Sequence, residues 1–418
     1  MTFVSKLAMA AALTLGTSAL GVSPALAQKK NDKQPAIKVS DEFRTPAAAA
    51  QAAVDAKNFA AAEPSIVAAE AAAKSDTEKY FAAVLRLQLE TSRNNVNGQI
   101  AALQVLSSNP TTPAENAKLY QQRFYYLQGA AAANSKKNAE AIQYLTKARE
   151  AGSKAEDISI LLANAYGATG KNAEAVAEVE KAMAASKAAG RKPPVEWYRF
   201  AIPKVNALGD RAQTAQWMTR YIQEYPTVQN WRWVVQVTRQ GTPAANDKVE
   251  KLDLYRLMRS TNALADRGDY ADYAYQAQTS GLPWEAVAVI DEGRKNGKIP
   301  AGDSDTGRIY TASQAAAKAE GSLDRQIATA KTGTQTANLA DAFLASGNNA
   351  KALELYDQAL QRGGAKADEV NLHRGIALQR LGRKDEARTA FQAVPATGSY
   401  GNLALLWATS VDFPPLGA

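Results

Sequence analysis

The chain has 418 residues, a net charge of +8, a single histidine and no cysteine. Without thiols there are no disulfides, thiolate metal sites, cysteine nucleophiles or lipid-modified cysteine anchor, and one histidine rules out paired-histidine zinc motifs. Hydrophobic residues reach 46% but aromatics only 7%, so alanine supplies much of the apolar surface and closely packed thin helices are expected in place of one thick core.

The N-terminus reads as an export signal. Lys6 precedes the apolar run Leu7 to Val22, and Ala25-Leu26-Ala27 forms a small-residue cleavage site before Gln28. The run is short for a span of about 20 apolar residues, so residues 1–27 are expected to be a signal peptide cleaved after Ala27. No later stretch is long and apolar enough to span a bilayer, and the expected address is the bacterial periplasm, where a thiol-free chain is at home. Export argues against nucleic acid as the partner of the basic surface. Acidic partners, anionic lipid, envelope polysaccharide or plain solubility remain open.

Residues 28–44 are polar and expected to be disordered. Thr45-Pro46 reads as a helix start with Pro in the first position. Helical patterning then runs to about Val394 without a convincing strand. Within it a unit recurs. Lys137-Asn138-Ala139-Glu140-Ala141-Ile142 returns as Lys171-Asn172-Ala173-Glu174-Ala175-Val176, and Gly347-Asn348-Asn349-Ala350 is followed by Gly382-Arg383-Lys384-Asp385. A fixed period in the mid-thirties with helical patterning marks stacked hairpins. Small residues recur where helices must approach, as at Gly129, Ala132, Ala141 and Ala148, or Ala352 and Ala359 beside Tyr356.

These units resemble the tetratricopeptide family. The resemblance implies an all-α, right-handed solenoid of about ten antiparallel helix hairpins, with segments 227–262 and 300–333 as degenerate copies. Pro193-Pro194 interrupts the pattern, as either a longer inter-repeat loop or a boundary between an array at 45–190 and one at 195–395. Residues 396–418 form a tail in which Leu403 to Trp407 are expected to cap the last hairpin.

Signals for chemistry are sparse. His373 has no second histidine to join, and no phosphate-binding glycine loop occurs. Asp303-Ser304-Asp305-Thr306-Gly307 lacks the glycine and glutamate that a calcium loop places at its sixth and twelfth positions, so Asp303 and Asp305 read as helix N-caps. No catalytic residue, cofactor or metal is expected. Trp197, Trp217, Trp231 and Trp233 cluster with Tyr198, Arg199, Arg220, Tyr221, Tyr225, Arg232 and Arg239, either as the core of an irregular hairpin pair or as a binding surface rich in hot-spot residue types.

In the resembled family the first helices of each hairpin line a concave groove. Carried over, the groove positions are Arg123, Tyr126, Asn164, Arg199, Trp233 and Tyr275. The carboxylate-clamping residues of some members are replaced by Ile160 with Asn164 and by Leu372 with Ile376, so capture of a peptide C-terminus is not implied. The functional expectation is a non-catalytic protein-binding scaffold of the bacterial cell envelope. The alternative is an accessory carbohydrate-binding protein in polysaccharide or peptidoglycan processing, with Trp and Tyr stacking on sugars. Soluble lytic transglycosylases also carry a helical superhelix, but they need a lysozyme-like domain that the short tail after the array does not supply.

Overall fold

A computed structural model describes residues 39–240 and 248–416; the expected signal peptide and most of the polar segment after it lie outside them. Regular structure among the described residues is entirely helical, in twenty-one helices. They are α1 (Asp41–Asp55), α2 (Phe59–Ala72), α3 (Asp76–Ser92), α4 (Val96–Ser108), α5 (Ala114–Asn134), α6 (Asn138–Glu150), α7 (Ile158–Ala168) and α8 (Asn172–Ala188). After the Pro193-Pro194 break come α9 (Val195–Ala207), α10 (Arg211–Glu224), α11 (Val228–Gln240), α12 (Lys248–Ser260), α13 (Arg267–Thr279), α14 (Pro283–Lys295), α15 (Ser304–Glu320) and α16 (Leu323–Ile327). The last are α17 (Gly333–Ala345), α18 (Asn349–Arg362), α19 (Ala367–Arg380), α20 (Lys384–Gln392) and α21 (Gly401–Asp412). Successive helices pack as antiparallel pairs, and the chain divides into two compact units, one up to Arg191 and one from Lys192.

The first helix begins at Asp41, earlier than Thr45-Pro46 suggests, so residues 41–44 belong to it and not to a disordered segment. Ser40 supplies the cap: its hydroxyl accepts from Phe43 N. Glu78 then fixes that cap in place, its Oε1 accepting from both Ser40 N and Ser40 Oγ at 2.7 Å. Glu78 also closes the capping box of α3 with Ser75. These hydrogen bonds, led by those from Ser75 and Ser40, hold its carboxyl well below the ordinary range. Pro46 lies inside α1.

In the first unit the apolar residues recur every three or four positions, so each helix buries one stripe. Phe43, Ala47 and Ala50 meet Ala62, Ile66 and Ala69, and both sets meet Ala82, Leu85 and Leu89 of the next hairpin. The next layers repeat this with Ala141, Leu145 and Ala148 against Leu161, Leu162 and Ala165. The 34-residue offset is visible in the backbone: Lys136 (φ 58°) and Gly170 (φ 75°) occupy the same left-handed turn position between paired helices.

The second unit uses the same hairpins and adds a fold-back. Helix α21 packs on α20 and α19 and also on α10 and α12, while α14 touches α17. Thr219 Oγ1 and Thr409 Oγ1 are 3.2 Å apart. Trp231 Nε1 donates to the Phe413 carbonyl at 3.1 Å, and Leu416 N donates to the Pro226 carbonyl at 2.7 Å. The tail therefore does more than cap the last hairpin. It joins that hairpin to the first hairpins of the same unit. Leu372 and Ile376, placed by the resemblance on a groove-lining face, are fully buried, and His373 of the same helix reaches Asp253 in the unit's own first half.

Candidate functional site

Most of the groove residues expected from the resemblance have structural partners. In the first unit Arg123 Nη2 donates to Gln99 Oε1 at 2.9 Å and to Thr91 Oγ1 at 3.3 Å, bracing α5 against α3 and α4. Tyr126 is buried, and its hydroxyl donates to Asp157 Oδ2 at 3.0 Å. Asn164 is exposed on α7. In the second unit Arg199 donates to the Tyr221 hydroxyl at 3.0 Å and to Asn230 Oδ1 at 3.1 Å. Half-buried Trp233 meets the Tyr221 ring edge-on at 5.5 Å. Tyr275 is exposed.

The tryptophan-rich segment is a core. Tyr198 packs on Trp217, Tyr221 and Tyr225 with ring centroids 5.6–6.2 Å apart, and Trp217 and Trp231 are wholly buried. Arg220 lies over Trp217 at 4.7 Å and Lys192 over Tyr225 at 3.8 Å, so cations that a binding surface would offer to a partner instead cover aromatic faces of this unit. Asp303 is an N-cap as expected, accepting from Thr306 N. Asp305 is not; it lies in the first turn of α15 and pairs with Arg267 and Arg308.

The concave site lies elsewhere in the second unit. A cavity of about 710 Å³ opens between α12, α14 and α17, with α16 and α19 completing its wall; this is within the ordinary size of a ligand pocket. Leu252, Leu282, Leu323 and Trp284 give it an apolar side. Asp341, Glu369 and His373 stand on another part of the wall, with Arg256 beneath.

Behind that wall runs a buried ion network. His373 sits between two carboxylates, with Nδ1 2.7 Å from Asp341 Oδ1 and Nε2 3.0 Å from Asp253 Oδ2. Asp341 also accepts from the Tyr356 hydroxyl at 2.6 Å. Asp253 accepts from Arg256 Nη1 at 2.8 Å, and Arg256 forks onto Glu285 at 2.6–3.2 Å. Glu285 takes a further hydrogen bond from Tyr273 and faces Arg380 at 3.8 Å. Three acids, Asp253, Glu285 and Asp341, thus meet three bases, Arg256, His373 and Arg380.

Burial alone would push His373 toward neutrality, but the charges of Asp253 and Asp341 outweigh it and raise its pKa to about 10. Burial likewise opposes the charge on Glu285, and Arg256 overcomes it, holding the carboxyl at about 2. The imidazolium donates through both ring nitrogens. One oxygen of Asp341, one of Glu369 and a ring nitrogen of His373 lie within 4.8 Å of one another, and both ring nitrogens of His373 are already engaged by Asp341 and Asp253.

His373 alone was visible in the sequence as a candidate, and only as a lone histidine. Asp253 and Arg256 stand one turn apart, as do Glu369 and His373, but helical spacing does not reveal that α12 and α19 touch across 120 residues.

No family model and no curated protein matches the chain. Among solved structures it is similar to that of Naa15/Naa10 bound to HypK-THB, with 12% identity and a TM-score of 0.26, over 87% of this chain and 59% of that one. It is also similar to the pentatricopeptide repeat protein PPR10 from maize, with 14% identity and a TM-score of 0.26, over 88% and 61%. A third similarity is to the P58(IPK) TPR domain, with 13% identity and a TM-score of 0.22, over 88% and 97%. The chain spans about three fifths of the length of the first two. The description of the chain as an all-α array of helical hairpins rests on its own helix pairs and on its mid-thirties period.

Proposed function

We propose that this chain is an exported, non-catalytic binding protein of a bacterial cell envelope, and that its second unit holds a segment of a protein partner in the cavity walled by α12, α14, α17 and α19. The observation that carries the reading is the cavity itself. It is concave, mixed in polarity and large enough for one or two side chains, and its charged wall is held in place by a neutralised network that cannot easily rearrange. Export rests on Lys6, the apolar run and Ala25-Leu26-Ala27. The polysaccharide alternative has less support, because Trp217, Trp231 and Trp407 are buried in cores instead of offered as stacking platforms.

A photo-crosslinking amino acid placed at Asn338, an exposed residue of the cavity wall, tests the reading in envelope extract. A discrete protein adduct is expected there and not from the same probe at Thr311, which is exposed outside the cavity. Equal labelling from both positions, or a glycan adduct, would contradict it.

A further inference from the structure

The cavity wall is unevenly charged once its internal pairs are taken into account. Arg256 is held by Glu285 and Asp253 behind the wall, and His373 by Asp253 and Asp341. Neither cation is left for a ligand. Glu369 lies outside that neutral set. Its side chain is one-fifth exposed, its Oε2 accepts from the Tyr400 hydroxyl at 3.2 Å, and the nearest base, Lys366, is a solvated side chain at 3.7 Å. Asp341 is also about one-fifth exposed and lies within 4.8 Å of Glu369 through one oxygen of each. A single cationic head can therefore reach both carboxylates at charge-assisted hydrogen-bond distance.

A separate feature points to the same ligand. Trp284 is half-buried on the wall, and among the described residues no aromatic ring or cation covers it. In the α9–α11 core, by contrast, Tyr198 stacks on Tyr221, Trp233 meets Tyr221 edge-on, and Lys192 and Arg220 cap Tyr225 and Trp217. An indole and leucines that line the same cavity as the two carboxylates suit an alkyl chain ending in a positive charge, through cation–π attraction and stem packing.

We infer that the cavity recognises a basic side chain of the partner, lysine or arginine, with its charged head between Asp341 and Glu369 and its aliphatic stem on the apolar wall that includes Trp284. The inference rests on the protein-binding reading of the same cavity and names the chemistry of the anchor.

The test uses the full mature chain and three blocked pentapeptides, alanine-leucine-X-leucine-alanine with X lysine, norleucine or glutamate, in titration calorimetry. The lysine peptide should bind with a dissociation constant at least about tenfold below that of the norleucine peptide, and the glutamate peptide should not bind; tenfold corresponds to about 1.4 kcal/mol. Glu369→Gln, which retains an acceptor for Tyr400, should reduce the lysine preference to under about threefold while the melting temperature stays at the parent value, and Trp284→Leu should weaken lysine binding several-fold. Equal affinities for lysine and norleucine would overturn cation recognition while leaving a discrete adduct at Asn338 to stand for protein binding. No binding of any peptide, or Glu369-dependent binding of zinc or magnesium ions in place of the peptide, would also overturn it.

Discussion

His373 Nε2 lies 3.0 Å from Asp253 Oδ2, although 120 residues separate them in the chain. That contact ties α19, in the best-formed repeats, to α12, in a degenerate one. Both groups are fully buried, so each charge depends on its paired partners, Asp253 and Asp341 for His373, and His373 and Arg256 for Asp253. Asp253→Asn should leave Arg256 and His373 undercompensated and cost about 3–5 kcal/mol of stability. All six tryptophans fall between residues 197 and 407, so tryptophan fluorescence in urea reports on the second unit alone. An unchanged fluorescence midpoint in this variant would show that the network carries no stability.

The same network gives the second unit a pH dependence. The folded-state pKa of His373 is raised to about 10 from the ordinary histidine value of 6.5. Its contribution is therefore complete below about pH 6.5 and is lost as pH rises toward 10, because the folded state holds a proton that the unfolded state has released. Stability should fall by on the order of a few kcal/mol between about pH 6.5 and 9.5, read as a steadily falling fluorescence-detected melting temperature, and His373→Gln should flatten that slope. Glu285 acts in the opposite direction. Its carboxyl is held at about 2 against an ordinary value of 4.5, so its contribution is present above about pH 4.5 and disappears as pH falls toward 2. A parent melting temperature that rises between pH 6.5 and 9.5 would contradict the assignment of His373 as an imidazolium.

Arg199 and Trp233 separate packing from binding. Arg199 joins Tyr221 and Asn230, and Trp233 rests on the same Tyr221. The double variant Arg199→Ala, Trp233→Ala should lower the melting temperature by several degrees, since each change removes packing or a charge-assisted hydrogen bond worth about 1–3 kcal/mol. A variant that melts with the parent yet loses its partner would return these residues to a binding surface.

Close helix approach is testable at Gly375. A β-carbon there would lie 2.4 Å from the Phe391 ring, so Gly375→Ala should cost about 1–3 kcal/mol as an overpacked contact, and Phe391→Leu in the same chain should recover part of that loss. Ala352 is likewise fully buried, and Ala352→Leu should destabilise by a similar amount. Thermal melts of the four chains would check both; additive losses in the Gly375→Ala, Phe391→Leu pair would count against the contact.

How far the sequence speaks follows from the range of each interaction. The recurrence of Lys137-Asn138-Ala139-Glu140-Ala141 at Lys171, and of Gly347 at Gly382, is a local signal, and it located paired helices wherever a turn and a small-residue stripe lay within one unit. The start of α1 was missed because its anchor, Glu78, lies 38 residues beyond Ser40. The tryptophan cluster was ambiguous because hot-spot residue types are also core-filling types, and the burial of Trp217 and Trp231 with Arg220 and Lys192 over the rings decides between them. The cavity was not legible at all. Its wall draws on α12, α14, α16, α17 and α19, and nothing in a repeat period states that the later hairpins of a unit turn back onto its earlier ones.

That fold-back is the feature on which the cavity and the ion network both depend. Thr219 and Thr409 meet across it, 3.2 Å apart through their hydroxyls and 190 residues apart in sequence. Because the chain has no cysteine of its own, the double variant Thr219→Cys, Thr409→Cys can form only one intramolecular disulfide. Under mild oxidation it should cross-link within the monomer in high yield, as two thiols replacing touching hydroxyls can reach bonding distance, and non-reducing electrophoresis with intact mass would show a compacted monomer lacking two hydrogens. A variant that keeps two free thiols, or cross-links only between chains, would mean that the second unit is an open array and would contradict the fold-back.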